Sequence, residues 1–213
     1  MDMTSLSITF SACRFEGSLA GCVRYRVEDM FEIVPPNVAF HQSFLESHRE
    51  WAGAHQDGAA VFMADDVTSS EGFADWVGKL LDAESASDKD GIVPCTYLWI
   101  TEGLRYVGAI AFRHHLTPAL LNSGGHIGYG VRPSDRRRGA ASWALRELLS
   151  RLAVQGELGG ALPDRVLLTC DDDNLASIRT IERCGGLLDD VRTGEDGRPF
   201  RRYWIDLGTS AAN

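Results

Sequence analysis

The hydrophobic positions change period several times along the chain, and each change marks an element. Phe31-Glu32-Ile33-Val34 alternates as a short strand and stops at Pro35-Pro36, since proline cannot donate to a ladder. Asn37 can then cap a helix whose apolar side carries Phe40, Phe44, Leu45 and Trp51. Residues 54–70 read as loop, and Phe73, Trp76, Val77, Leu80 and Leu81 mark a second helix before a polar linker over 83–91. Two strands follow at 96–100 and 106–112, with Thr101-Glu102-Gly103 as the hairpin turn between them. After a loop with Pro118 and Gly124-Gly125, residues 126–131 form a glycine-rich strand. A helix over 139–155 carries Ala141, Leu145, Leu148, Leu149 and Leu152 on one side. A strand at 165–170, a helix over 174–184 closed by Gly185-Gly186, and an alternating strand at 200–207 complete the series. The order is β-α-α-β-β-β-α-β-α-β, a mixed α/β class with an antiparallel front half and one strand–helix–strand unit. Residues 1–30 hold one candidate strand at 6–13 and are read as an N-terminal extension to a domain over 31–213.

Composition narrows the class. The 213 residues are 44% hydrophobic and 24% charged, which suffices for one packed core and excludes wholesale disorder. No run reaches the roughly 18 consecutive apolar residues of a membrane helix. The start Met-Asp-Met-Thr-Ser has no basic region leading into an apolar one, so a secretory signal is not expected and a cytoplasmic location is. A net charge of −9 argues against a large nucleic-acid footprint, which needs many phosphate-neutralising cations. Five cysteines without a C-x-x-C pair fit neither a disulfide framework nor a zinc ribbon, and each is expected as a small buried hydrophobe. Only Lys79 and Lys89 among the 21 basic residues are lysines, so arginine is the residue at hand for any phosphate contact.

The segment Val131-Arg132-Pro133-Ser134-Asp135-Arg136-Arg137-Arg138-Gly139-Ala140-Ala141 lies between a strand and a helix. Such a loop turns unpaired backbone N–H groups toward the positive end of the helix dipole, a setting that binds phosphate or pyrophosphate. Gly139 lets an anion approach the backbone, small Ala141 lets the helix start lie close to the sheet, and Arg136, Arg137 and Arg138 can add charge-assisted contacts. The preceding Gly128 and Gly130 leave room for a ligand to lie along the strand. The next strand ends in Asp171-Asp172-Asp173-Asn174-Leu175-Ala176-Ser177, which opens another helix.

This arrangement resembles the GNAT superfamily of acyl-coenzyme-A-dependent N-acyltransferases over residues 31–207, most strongly from His126 to Gly186. Residues 126–133 and 202–207 also look like a bacterial subgroup of uncharacterised acetyltransferases. The resemblance implies a central mixed, mostly antiparallel sheet, splayed at the cofactor site and flanked by helices. It implies that residues 136–141, with Ala140 among them, hold the pyrophosphate of acetyl-coenzyme A (acetyl-CoA). It also implies that the main chain around Val131 pairs with the pantetheine arm and polarises the thioester, while Asn174 and Ser177 bind that arm. The implied activity is transfer of an acetyl group to a primary amine of a small molecule or peptide, with homodimerisation left open. Two alternatives stand beside it: acyl transfer from aminoacyl-tRNA on the same fold, and a non-catalytic acyl-CoA-binding module. The sequence departs from the family at Ile181, where many members carry a tyrosine that protonates the departing thiolate.

An acceptor amine with a pKa near 10 is protonated at neutral pH, so some group must take a proton from it. His126 and Tyr129 lie on the strand beside the expected thioester and are the candidate catalytic residues. Strand alternation sends them to opposite faces unless a bulge intervenes. His114, His115, Glu102 and Glu46 are further candidates, and the acceptor pocket is expected from residues 37–81 and 113–125. A metal is not expected. His41, His48 and His55 recur every seven residues, about 10.5 Å apart along a helix and too far to share one ion. The acidic run at 171–173 reads as a favourable approach to a helix N-terminus. Neither a G-x-S-x-G nor a Rossmann fingerprint is present.

Overall fold

The strand–helix–strand unit is where the sheet breaks. The computed structural model describes residues 30–86, 93–154 and 163–208. Strands β1 (Glu32–Val34), β2 (Cys95–Glu102), β3 (Arg105–Arg113) and β4 (Ile127–Val131) form a four-stranded sheet in chain order. Strands β5 (Arg165–Asp171), β7 (Pro199–Asp206) and β6 (Leu187–Thr193) form a second sheet in the order β5-β7-β6. Every ladder among the described residues is antiparallel. The mixed sheet expected from the sequence is therefore split at its one strand–helix–strand step, between β4 and β5.

Among the described residues five α-helices pack around the sheets: α1 (His41–Glu50), α2 (Ser70–Asp82), α3 (Pro118–Asn122), α4 (Ala140–Ala153) and α5 (Leu175–Arg183). In α2 the spacing of Phe73, Trp76, Val77 and Leu80 makes one buried stripe, and the Ser69 hydroxyl caps the first turn by accepting from the Gly72 amide. That stripe joins Phe44 of α1 with Trp99 and Tyr106 of the sheet in an aromatic core. Fully burying a side chain of this size contributes roughly 1.5–3 kcal/mol. On the opposite face α4 and α5 bury Ala144, Leu145, Leu148, Ile178 and Ile181 against Ile110, Phe112, Val166 and Tyr203. Helix α4 thus bridges both sheets and sets the opening between them.

The differences from the sequence reading are local. Asn37 caps a short 3-10 turn, Val38–Phe40, and α1 starts only at His41. The β2–β3 turn is Gly103-Leu104, with Thr101 and Glu102 still in strand. Helix α3 and strand β6 are additions. In β6, Leu187, Leu188 and Val191 are exposed, so no in–out alternation announces it. Cys95 is buried, while Cys170 and Cys184 are half-buried free thiols. The candidate strand at 6–13, Cys13 and Cys22 lie outside the described residues.

The glycines of β4 serve a purpose other than the one expected. A Cβ on Gly130 would come 2.8 Å from the Asp57 carbonyl oxygen, and one on Gly58 would come 2.6 Å from the Gly128 oxygen. On that face the 55–58 loop of the protein itself packs against Gly128 and Gly130. The open edge of β4 is different: Arg113 N donates to His126 O and Arg132 N to Val107 O. Alternation then turns the main-chain groups of Tyr129 and Val131 away from β3 and toward the split.

Candidate active site

Among the described residues one backbone hydrogen bond joins the two sheets, from His126 N to Leu167 O at 2.7 Å. Leu167 N answers by donating to His126 Nδ1 at 2.9 Å. The imidazole is buried beside Phe112 and Trp204, and burial lowers its pKa to about 4. His126 is neutral, its Nδ1 is engaged, and its side chain lines neither cleft described below. It closes the apex of the split.

From that apex the strands diverge around a cleft of about 850 Å³. Its far end is the start of α4. Gly139, at φ +88°, is the N-cap residue and offers no side-chain cap, so the first amides of the helix are left for another acceptor. Arg137, at φ +63°, turns the loop in the same left-handed sense. Arg136, Arg137, Gly139, Ala140 and Ala141 all line the cleft. The Arg136 guanidinium stacks on Trp51 at 5.0 Å and donates to Val131 O at 3.2 Å.

Arg138 points elsewhere. Its guanidinium binds Glu102 at 2.7 and 2.9 Å and Asp135 at 2.6 Å, which removes it from the expected phosphate-contact set. Asp135 is 2% exposed and also receives Arg105 at 2.8 Å. Arg132, 7% exposed, pairs with Glu50 at 2.6 Å, and Glu50 accepts from the Ser134 amide and hydroxyl. The Arg132 bond holds the Glu50 carboxyl down at about 2. This network ties the loop to α1 and to the β2–β3 hairpin. Glu102 and Glu46, both candidate bases, belong to it, Glu46 lying 3.6 Å from Arg132. His114 bonds the Thr96 hydroxyl at 2.8 Å, and His115 is exposed beyond β3.

A second cleft, of about 820 Å³, opens on the other side of the split. The two share His55, Asp57, Tyr129, Asn174 and Ser177. Asn174 Oδ1 caps α5 by accepting from Ser177 N at 3.1 Å, which leaves its Nδ2 as a donor. Tyr129 Oη is buried without a hydrogen-bond partner, beside the hydroxyls of Ser177 and Thr180, and burial pushes its pKa up to about 12. Ile181 is 1% exposed in the core and lines neither cleft, so the hydroxyl-bearing wall of the site is Tyr129, Ser177 and Thr180. The second cleft draws on 55–62 and 113–124, together with the end of β5 and the β6–β7 hairpin.

Sequence reasoning missed Asp57. His55 Nε2 lies 3.2 Å from Asp57 Oδ1 at the junction of the clefts. Its only signal is His-x-Asp-Gly inside a stretch read as loop. The other two histidines of the heptad series are separately engaged, His41 by Val67 O and His48 by Gln56. Among the described residues no group of three or more His, Cys, Asp and Glu side chains is placed to hold a metal ion, and no helix is long and apolar enough to cross a membrane.

Comparison with known proteins places this geometry. The microcin C7 self-immunity acetyltransferase MccE, solved with acetyl-CoA and AMP, superposes with a TM-score of 0.58 at 16% identity, covering 84% of this chain and 94% of that one. RimL, the ribosomal L7/L12 alpha-N-protein acetyltransferase solved with coenzyme A, gives 0.60 at 18% identity, with coverages of 87% and 98%. The ribosomal-protein-S5-alanine acetyltransferase of Vibrio fischeri gives 0.59 at 10%, with coverages of 83% and 91%. No curated protein matches the sequence. The family described as "Acetyltransferase (GNAT) domain" matches residues 37–186. The chain belongs to the GNAT family and is an N-acetyltransferase.

Proposed function

We propose that the protein transfers an acetyl group from acetyl-CoA to a primary amine of a small molecule or peptide. The observation that carries this reading is the continuity of three features: the uncapped first turn of α4, the open edge of β4 and the junction of the two clefts. The residues fit the coenzyme. Amides of Gly139, Ala140 and Ala141 suit a pyrophosphate, Arg136 and Arg137 supply cations beside it, and the main chain of Tyr129 and Val131 suits the amides of a pantetheine arm. Asn174 Nδ2 and the Ser177 hydroxyl sit further along the same path. Arg138 contributes by holding the loop. When bound, the coenzyme supplies a thioester, and the site's main task is to hold that carbonyl and an amine together.

With Ile181 in the core, Tyr129 is the proton donor this reading assigns to the departing thiolate. Its hydroxyl is protonated at neutral pH and lies beside the hydroxyls of Ser177 and Thr180. His126 is assigned to holding the apex closed. The second cleft, which this reading gives to the acceptor, is lined by the carboxylates of Asp57, Asp171, Glu195 and Asp196 against two arginines, Arg198 paired with Asp196 and Arg113 on the carbonyls of Gly124 and Gly125. That excess of carboxylates favours a cationic acceptor.

Acetyl-CoA supplied with neutral amines, dicationic amines and N-terminal peptides, read as free thiol release, tests this. Release that is fastest with a cationic amine and unaffected by ribonuclease is expected. Binding of acetyl-CoA with no release for any amine would refute the transfer, and ribonuclease sensitivity would point to a tRNA donor.

A further inference from the structure

We propose that Asp57, held by His55, is the group that accepts the proton an acceptor amine must shed. This rests on the acetyl-transfer reading above and adds a residue that the sequence did not single out.

Of the five side chains shared by the two clefts, Asp57 carries the carboxylate; Asn174 and Ser177 are not bases, Tyr129 keeps its proton, and His55 turns Nε2 to Asp57. An amine in the acceptor-side cleft that reaches a thioester on the open edge of β4 must pass this junction. The carboxylate is also held in place. The 55–58 loop is seated on β4 because Gly128 and Gly130 have no side chains, Ala59 N closes the turn on Gln56 O, and Gln56 bonds His48 of α1. Gly58, at φ +77°, makes the backbone reversal that brings Asp57 to the rim. The other candidate bases are engaged elsewhere: His126 by Leu167, Glu102 by Arg138, His114 by Thr96.

The charged groups facing Asp57 are His55 on its own loop, Asp171 at the end of β5 and Arg113 at the end of β3. The Asp57 side chain is 67% exposed at the rim, so loss of solvation is only partial; it still raises the pKa, Asp171 adds to the rise, and His55 and Arg113 oppose it. A carboxylate whose pKa is raised in this way is a better base than an ordinary aspartate.

The step balances as follows. The ammonium gives one proton to the Asp57 carboxylate, and the freed nitrogen lone pair forms the N–C bond to the thioester carbonyl. The C–S bond breaks, its electron pair leaves on sulfur, and the thiolate takes one proton from Tyr129. The second nitrogen proton of the new amide bond returns to Tyr129, and Asp57 releases its proton to water.

The test is the pH dependence of kcat/KM for Asp57→Asn against the unsubstituted protein, with acetyl-CoA affinity and melting temperature measured on both. The unsubstituted protein is expected to show a plateau across neutral pH, because enzyme and ammonium supply the proton acceptor and donor together. Asp57→Asn is expected to lose about 10²-fold or more at pH 7. Its rate should then climb about tenfold per pH unit toward the amine's own pKa near 10, while its coenzyme affinity and melting temperature stay unchanged. His55→Ala should keep part of the activity and move the acidic limb of the profile upward, since His55 lowers the Asp57 pKa. An Asp57→Asn protein with the same plateau and rate would overturn the assignment while leaving acetyl transfer intact. Lost coenzyme affinity in that variant would overturn it too, by making Asp57 part of the binding wall. A protein that binds acetyl-CoA and acetylates no amine would overturn both readings.

Discussion

His126 and Leu167 exchange two hydrogen bonds, amide to carbonyl at 2.7 Å and amide to imidazole at 2.9 Å, and among the described residues no other backbone hydrogen bond joins the two sheets. The side chain supplies the second bond of what a continuous ladder would have made from backbone alone. A substitution at His126 should therefore cost stability. His126→Ala leaves the Leu167 amide buried without a partner, a penalty of about 1–3 kcal/mol before lost packing is added. Thermal melting should show the drop, and the pH–rate profile of the folded variant should keep its shape. A profile that loses a limb would return His126 to the catalytic set.

The same pair sets a pH window. The folded-state pKa of His126, about 4, lies below the unfolded value of about 6.5, so the unfolded chain binds more protons between them. Stability from this source is complete above pH 6.5 and is lost as pH falls toward 4. Glu50, held down at about 2 by Arg132, acts in a lower window: its contribution is present above about pH 4.5 and fades as pH falls through 2. Denaturant titrations between pH 7 and 4 should show the first loss in the unsubstituted protein and less of it in His126→Asn.

The two arginines flanking Arg137 should separate in their effects. Arg136→Ala removes an exposed cation lining the coenzyme cleft and should weaken acetyl-CoA binding, most clearly at low salt, with little change in melting temperature. Arg138→Ala strips a partner from Asp135, a carboxylate 2% exposed, and should lower the melting temperature. Calorimetric titration and melting on both proteins check this. The reverse pattern would put Arg138 on the phosphate.

Ile181→Tyr should destabilise without speeding the reaction. Ile181 is 1% exposed and its Cγ2 packs directly on Gly186, where even a Cβ would clash, so the site has no room for a phenol. A lower melting temperature with an unchanged single-turnover rate is expected; a faster rate would place the residue at the sulfur.

What the sequence discloses follows the range over which its signals act. The 136–141 loop is contiguous and local, so its strand, turn and helix start are legible together. Asp57 is not, because it gains its place only when the 55–58 loop docks on Gly128 and Gly130, about 70 residues further on. Arg138 looks like its two neighbours until Glu102, brought up by the β2–β3 hairpin, claims it. Strand β6 hides because Leu187 and Leu188, 69% and 51% exposed, bury nothing that a pattern could report.

The central claim is that the coenzyme lies between the open edge of β4 and the first turn of α4. Amide hydrogen exchange with and without saturating acetyl-CoA tests it most directly. Slowed exchange at Tyr129, Val131 and residues 137–142, with β6 unchanged, is the expected result. Saturated binding that leaves those amides exchanging at their free rate, or protects another face, would contradict it.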